Sequence, residues 1–69
     1  MRLHCVITRE TDIGLVAYYE AINSCVNLAS YIPNIKAKTF TIFETKKRAL
    51  EVVKEWNNDF KTNGMQKVV

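Results

Sequence analysis

The sequence predicts a small α+β domain of order β-α-β-α(-β), a two- or three-stranded sheet covered by two helices. Three observations predict it: a near-alternating run of β-formers at 3–8, an amphipathic periodicity over 13–32, and a capped helical pattern starting at Thr45. The 69 residues allow one domain, 1–69. At this size folding buries only about 60% of the chain's surface, so extra support from a staple or a partner is expected.

Residues 3–8, Leu-His-Cys-Val-Ile-Thr, read as a strand with Leu3, Cys5 and Ile7 on one face. Over 13–32 the polar residues Glu20, Asn23, Ser24, Asn27 and Ser30 recur every three or four positions. Leu15, Tyr19, Ile22, Val26 and Ala29, with Tyr18 and Cys25 alongside, form the complementary stripe, which predicts an amphipathic helix. Thr11 or Asp12 would cap it, and Pro33-Asn34 would end it. A competing reading makes Thr11–Gly14 a hairpin turn and Leu15–Ala21 a second strand. The helix is preferred because Leu15–Ile22 shows no alternation.

Residues 35–43 read as a further strand, β-branched and aromatic in its latter half. Thr45 then caps a helix whose buried stripe is Ala49, Leu50, Val53, Trp56 and Phe60. Asn63-Gly64 is a stop signal, and Met65–Val69 is either a short last strand or a tail.

Two cysteines and one histidine are too few for a structural zinc site within one chain. Cys5 and Cys25 both lie among apolar neighbours and are read as buried, reduced thiols. No apolar run reaches the roughly 18 residues a membrane span needs, and Arg2 is followed by no secretory pattern. A cytoplasmic protein without cofactor, metal or membrane association is therefore expected.

Catalytic chemistry finds little to work with. His4 sits within a strand, where its neighbour Cys5 points to the opposite face, out of its reach as a base. Glu51, Glu55 and Asp59 follow at i, i+4 and i+8, a spacing that suits either a divalent ion or a solvated helix face; the second is favoured. With Gly14 and Gly64 the only glycines, a glycine-rich phosphate loop is excluded. The expectation is a protein that is not an enzyme.

The net charge of +3 is unevenly placed. Residues 36–48 hold Lys36, Lys38, Lys46, Lys47 and Arg48 against Glu44 alone, while the flanking regions are close to neutral. Lys36 and Lys38 would share one strand face. Lys46, Lys47 and Arg48 would occupy the first turn of a helix, where the macrodipole disfavours each cation by about 0.3–1 kcal/mol. These five are the expected contacts for an acidic protein surface or for nucleic acid, with Phe40 and Phe43 as stacking candidates in the second case. A solubilising cluster that guards an edge strand is the structural alternative.

The segment 13–32 carries Glu20 as its only charge. Depleted charge with several tyrosines is the composition of interface cores. Tyr18, Glu20, Asn23, Asn27 and Tyr31 are accordingly the expected protein interface, to a partner or to a second copy.

The stretch Lys38–Asn57, with Glu44-Thr45-Lys46-Lys47-Arg48-Ala49-Leu50 after a strand, resembles a pattern common in small phage-encoded accessory proteins. The resemblance implies a host-takeover or anti-defence role, blocking a host protein by stoichiometric surface binding, and carries no functional residue across. The leading expectation is a protein-binding inhibitor or regulator. An RNA- or DNA-binding module and a structural homo-oligomer subunit are the alternatives.

Overall fold

A computed structural model of the chain describes residues 2–67. It is an α+β domain, as expected, with a three-stranded sheet and two helices, but its order is β-β-α-β-α. The elements are β1 (Arg2–Thr11), β2 (Gly14–Asn23), α1 (Leu28–Asn34), β3 (Thr39–Phe43) and α2 (Lys46–Thr62). The sheet runs β2-β1-β3, antiparallel throughout.

The preferred helix over 13–32 is thus corrected. Gly14–Asn23 is a strand, and only Leu28–Asn34 is helical. Thr11 and Gly14 close the β1–β2 hairpin, with Thr11 Oγ1 donating to the Gly14 carbonyl at 2.9 Å. Gly14 supplies the positive φ of 108° that brings the chain back into register. Leu15–Ile22 lacks alternation because both sheet faces are covered. Ala17 and Tyr19 pack under α2, whereas Tyr18 and Ile22 pack on the opposite side. A strand buried on both faces shows a nearly continuous apolar run, with no period to detect.

β1 is the centre of the molecule. Val6 lies in the core beneath α2, with Ala17, Ala49 and Val52 buried beside it and Trp56 and Phe60 packed against them. Cys5 and Ile7 lie on the other face with Ile22, covered by Tyr31 of α1 and by Ile35. Leu3, Cys5 and Ile7 therefore do share a face. On α2 the expected stripe shifts by a fraction of a turn: Val52 is buried and Leu50 is 44% exposed.

Both helices end in Schellman motifs. In α2 the Gly64 N–H donates to Lys61 and the Met65 N–H to Phe60, with Gly64 at φ 73°. In α1 the Lys36 N–H donates to Pro33 and the Ala37 N–H to Ile32, which puts Lys36 in the left-handed region at φ 56°. Residues 35–38 are therefore a helix stop, and the expected strand at 35–43 begins only at Thr39. Lys36 and Lys38 do not share a strand face.

The free edge of β2 is closed by side chains and by the C-terminal segment. Asn57 of α2 accepts from the Ala17 N–H at 2.9 Å and donates to the Ala17 carbonyl at 2.8 Å. Leu15 donates to the Met65 carbonyl and receives Gln66 Nε2, and the Ile13 carbonyl receives the Lys67 N–H. The expected short last strand reduces to one bridge, Gly14–Gln66; residues 68 and 69 lie outside the described residues. A Cβ at Gly14 would collide with the Met65 carbonyl oxygen, so this position requires glycine.

Two variants test these local arguments. Asn57→Ala strips two backbone groups of Ala17 of their partner and is expected to cost about 1–3 kcal/mol in urea unfolding. Lys36→Gly relieves a left-handed non-glycine residue and is expected to raise the urea midpoint, by about 0.5–1 kcal/mol in stability, if α1 ends as described.

Candidate partner-binding surface

The five expected cations do not form one patch. Lys36 and Lys38 precede β3 and Lys46, Lys47 and Arg48 follow it, and a five-residue strand separates the two groups by about 17 Å. Two of the five are also answered internally. Lys38 Nζ lies 3.9 Å from Glu10, and Arg48 lies 3.4 Å from Glu51 and 3.7 Å from Glu55. Lys46 sits with its ammonium 5.7 Å from the centre of the Tyr19 ring, a cation–π contact. Thr45 does cap α2, its hydroxyl accepting from the Arg48 N–H at 3.2 Å. The first turn therefore holds three cations, as expected, and no acid.

Helical spacing adds residues that a segment-based reading misses. Lys47, Leu50, Lys54 and Lys61 follow one another at i, i+3, i+7 and i+14, so they share one side of α2 over about 21 Å. All four are exposed, and Leu50 is an exposed apolar residue flanked by Lys47 and Lys54. No ion pair holds Lys46, Lys47, Lys54 or Lys61 among the described residues. Glu51, Glu55 and Asp59 run along the other side of the helix, toward β3. The outer surface of α2 is thus split into a cationic stripe and an acidic one. The i, i+7 repeat of lysines was the signal for this in the sequence.

The expected charge-poor interface is also redistributed. Tyr18 and Glu20 stand on β2 and Tyr31 on α1; Tyr18 and Tyr31 pack over Cys5 and Ile7, while Glu20 is exposed. The Tyr31 phenol is held above its ordinary pKa by burial, then by the nearby charge of Glu20 and by Tyr18 and Cys5. Burial likewise raises the Cys5 thiol, with Glu20 adding to the effect. Asn23 and Asn27 have local tasks instead. Asn23 Oδ1 accepts from the Cys25 N–H at 2.8 Å, and Asn27 caps α1 by accepting from the Ala29 N–H at 3.1 Å.

An open groove of about 440 Å³ lies between α2 and the start of β3. Leu15, Trp56 and Phe60 supply apolar walls, and Glu10, Asp59 and Lys38 the rim. Its floor is closed by a 2.6 Å hydrogen bond between Thr8 and Thr39. The groove contains no histidine or cysteine. His4 lies elsewhere, sharing a 2.9 Å hydrogen bond with the Tyr19 hydroxyl, their rings stacked. Among the described residues no three side chains of metal-binding type come together, and no helix is long and apolar enough to cross a membrane. The two aromatic stacking candidates diverge: Phe43 packs under α2 and Phe40 on the opposite face against Tyr31.

No family model matches the chain, and no curated protein or solved structure matches it.

The two thiols differ, contrary to the expectation that both are buried. Cys5 is fully buried, whereas Cys25 is exposed in the turn before α1. A thiol-specific chromogenic reagent should therefore consume one equivalent rapidly in native buffer and two in urea. Cys25→Ser should abolish the rapid phase; rapid modification of Cys5 in the folded protein would contradict the packing of α1 over β1.

Proposed function

We propose that this chain is a non-enzymatic protein-binding regulator that engages an acidic surface through the cationic side of α2. Lys46, Lys47, Lys54 and Lys61 supply the charge, and Leu50 is the apolar anchor. The observation that carries the reading is the exposed Leu50 between Lys47 and Lys54, lysines that no ion pair among the described residues engages. Charge at the rim steers an acidic partner, and a central apolar contact gives the complex its lifetime. Inhibition of a host protein by such a contact fits the resemblance to small phage-encoded accessory proteins.

Nucleic acid is the less supported partner. Arg48, the one arginine of the segment, is engaged by two glutamates. Phe40 and Phe43 are packed into opposite cores and offer no platform for stacked bases. The remaining lysines could still hold phosphates, so salt is the discriminating variable.

Affinity capture from lysate with and without nuclease, followed by titration of the recovered partner, tests the reading. A nuclease-resistant protein should be recovered in near-equal amount, and the double substitution Lys47→Glu, Lys54→Glu should weaken its binding at least about tenfold. Leu50→Ser should weaken binding with little change in its salt dependence. If four cations bind phosphates instead, affinity should fall by roughly two orders of magnitude between 50 and 200 mM salt. That slope, with Leu50→Ser silent, would replace this reading by the nucleic-acid one.

A further inference from the structure

The two edges of the sheet are treated differently. On β2 the outward backbone groups of Leu15 and Ala17 are occupied by Met65, Gln66 and Asn57. Because Leu15 and Ala17 bond outward, the even-numbered β2 residues bond to their odd-numbered β1 partners, which leaves the even-numbered β1 residues His4, Val6 and Thr8 to bond their odd-numbered β3 partners. Thr39, Thr41 and Phe43 therefore bond inward, and Phe40 and Ile42 direct their N–H and C=O groups outward. Among the described residues no hydrogen bond from another element reaches those groups. Ile42 is also 48% exposed, so this edge carries an apolar side chain beside its open backbone. An open edge of this kind is a template for another strand.

The sequence of the edge is complementary to itself. Lys38-Thr39-Phe40-Thr41-Ile42-Phe43-Glu44, laid antiparallel on a copy about Thr41, sets Lys38 opposite Glu44 at both ends. In that register Phe40 and Ile42 of one chain stand opposite the partner's Ile42 and Phe40. These are the outward-bonding residues, so four backbone hydrogen bonds form. The same pairs bring an aromatic against a β-branched side chain on the α1 face, and Thr41 meets the partner's Thr41 on the α2 face, both favourable cross-strand combinations. Sliding the register by two residues sets Lys38 opposite Ile42 in one direction and opposite Lys46 in the other, which removes the charge match.

We propose that a second copy of this chain docks along β3, joining two sheets into one antiparallel six-stranded sheet of order β2-β1-β3-β3-β1-β2. Lys38, exchanging its long, exposed 3.9 Å contact with Glu10 for the partner's Glu44, fixes the register, and Ile42 is the main apolar contact. The two-fold axis stands perpendicular to the sheet at Thr41, so α2 of both copies lies on one side and α1 of both on the other. The cationic stripes, on the β2 side of each α2, stay exposed at the far ends. The dimer is thus independent of the regulatory reading and compatible with it. So short a strand pair sits at the small end of specific interfaces, and a dissociation constant of roughly tens to hundreds of micromolar is expected.

Sedimentation equilibrium of the full chain between 10 µM and 1 mM, with circular dichroism on every variant, tests the proposal. The wild-type mass should rise with concentration from 8.0 kDa toward twice that value. Ile42→Lys, at an exposed site, should raise the dissociation constant more than about tenfold without altering the spectrum. Lys38→Glu and Glu44→Lys should each weaken the dimer by about 3–10-fold, and the double exchange should restore it. A wild-type mass that stays at 8.0 kDa at 1 mM would overturn the proposal. So would a dimer indifferent to Ile42→Lys, or a charge exchange that restores nothing while the variants remain folded.

Discussion

Everything in this molecule is organised by one constraint, the burial of the middle of β1, Cys5–Thr8, between two helices and two neighbouring strands. Cys5, Val6 and Ile7 are wholly inaccessible, and they point alternately to the two faces. A 69-residue chain cannot build a thick core, so it builds two thin ones on opposite sides of a single strand. Each needs its own cover. The 17-residue α2 provides one, and the seven-residue α1 with the stop that follows it provides the other. A helix of seven residues has no stability of its own, so α1 exists because Tyr31 and Ile35 have an apolar strand face to cover.

That arrangement leaves backbone at both sheet edges, and the chain deals with them unequally. α2 crosses toward β2, which lets Asn57 and the segment after Gly64 satisfy that edge. β3 is left on the far side, where none of the described elements covers its outer edge. The same crossing determines the charge pattern. The side of α2 above β2 keeps its lysines free, while the side facing β3 holds Arg48 with Glu51 and Glu55. One helix position thus accounts for the closed edge, the open edge and the separation of charge.

The local chemistry works within these limits. His4 is engaged by Tyr19, and the buried Cys5 has its thiol pKa raised, which disfavours the reactive thiolate. The groove beside Trp56 has acids and a lysine at its rim and two hydrogen-bonded threonines as its floor.

The sequence by itself determined the α+β class, the β1 strand with Leu3, Cys5 and Ile7 on one face, the Thr45 cap and the Asn63-Gly64 stop. Each depends on local chemistry: side-chain alternation, a hydroxyl ahead of a helix, a glycine able to turn left-handed. Only the tertiary structure decided between helix and hairpin for the segment after Thr11. A strand covered on both faces loses its alternation, and the polar residues from Glu20 to Ser30 imitate helical periodicity across two different elements. Tertiary structure also divided the basic segment, because the left-handed turn at Lys36 and the intervening β3 set its lysines far apart. Which cations stay free, and which strand edge stays open, depends on where α2 lies across the sheet, and no short window of residues carries that information.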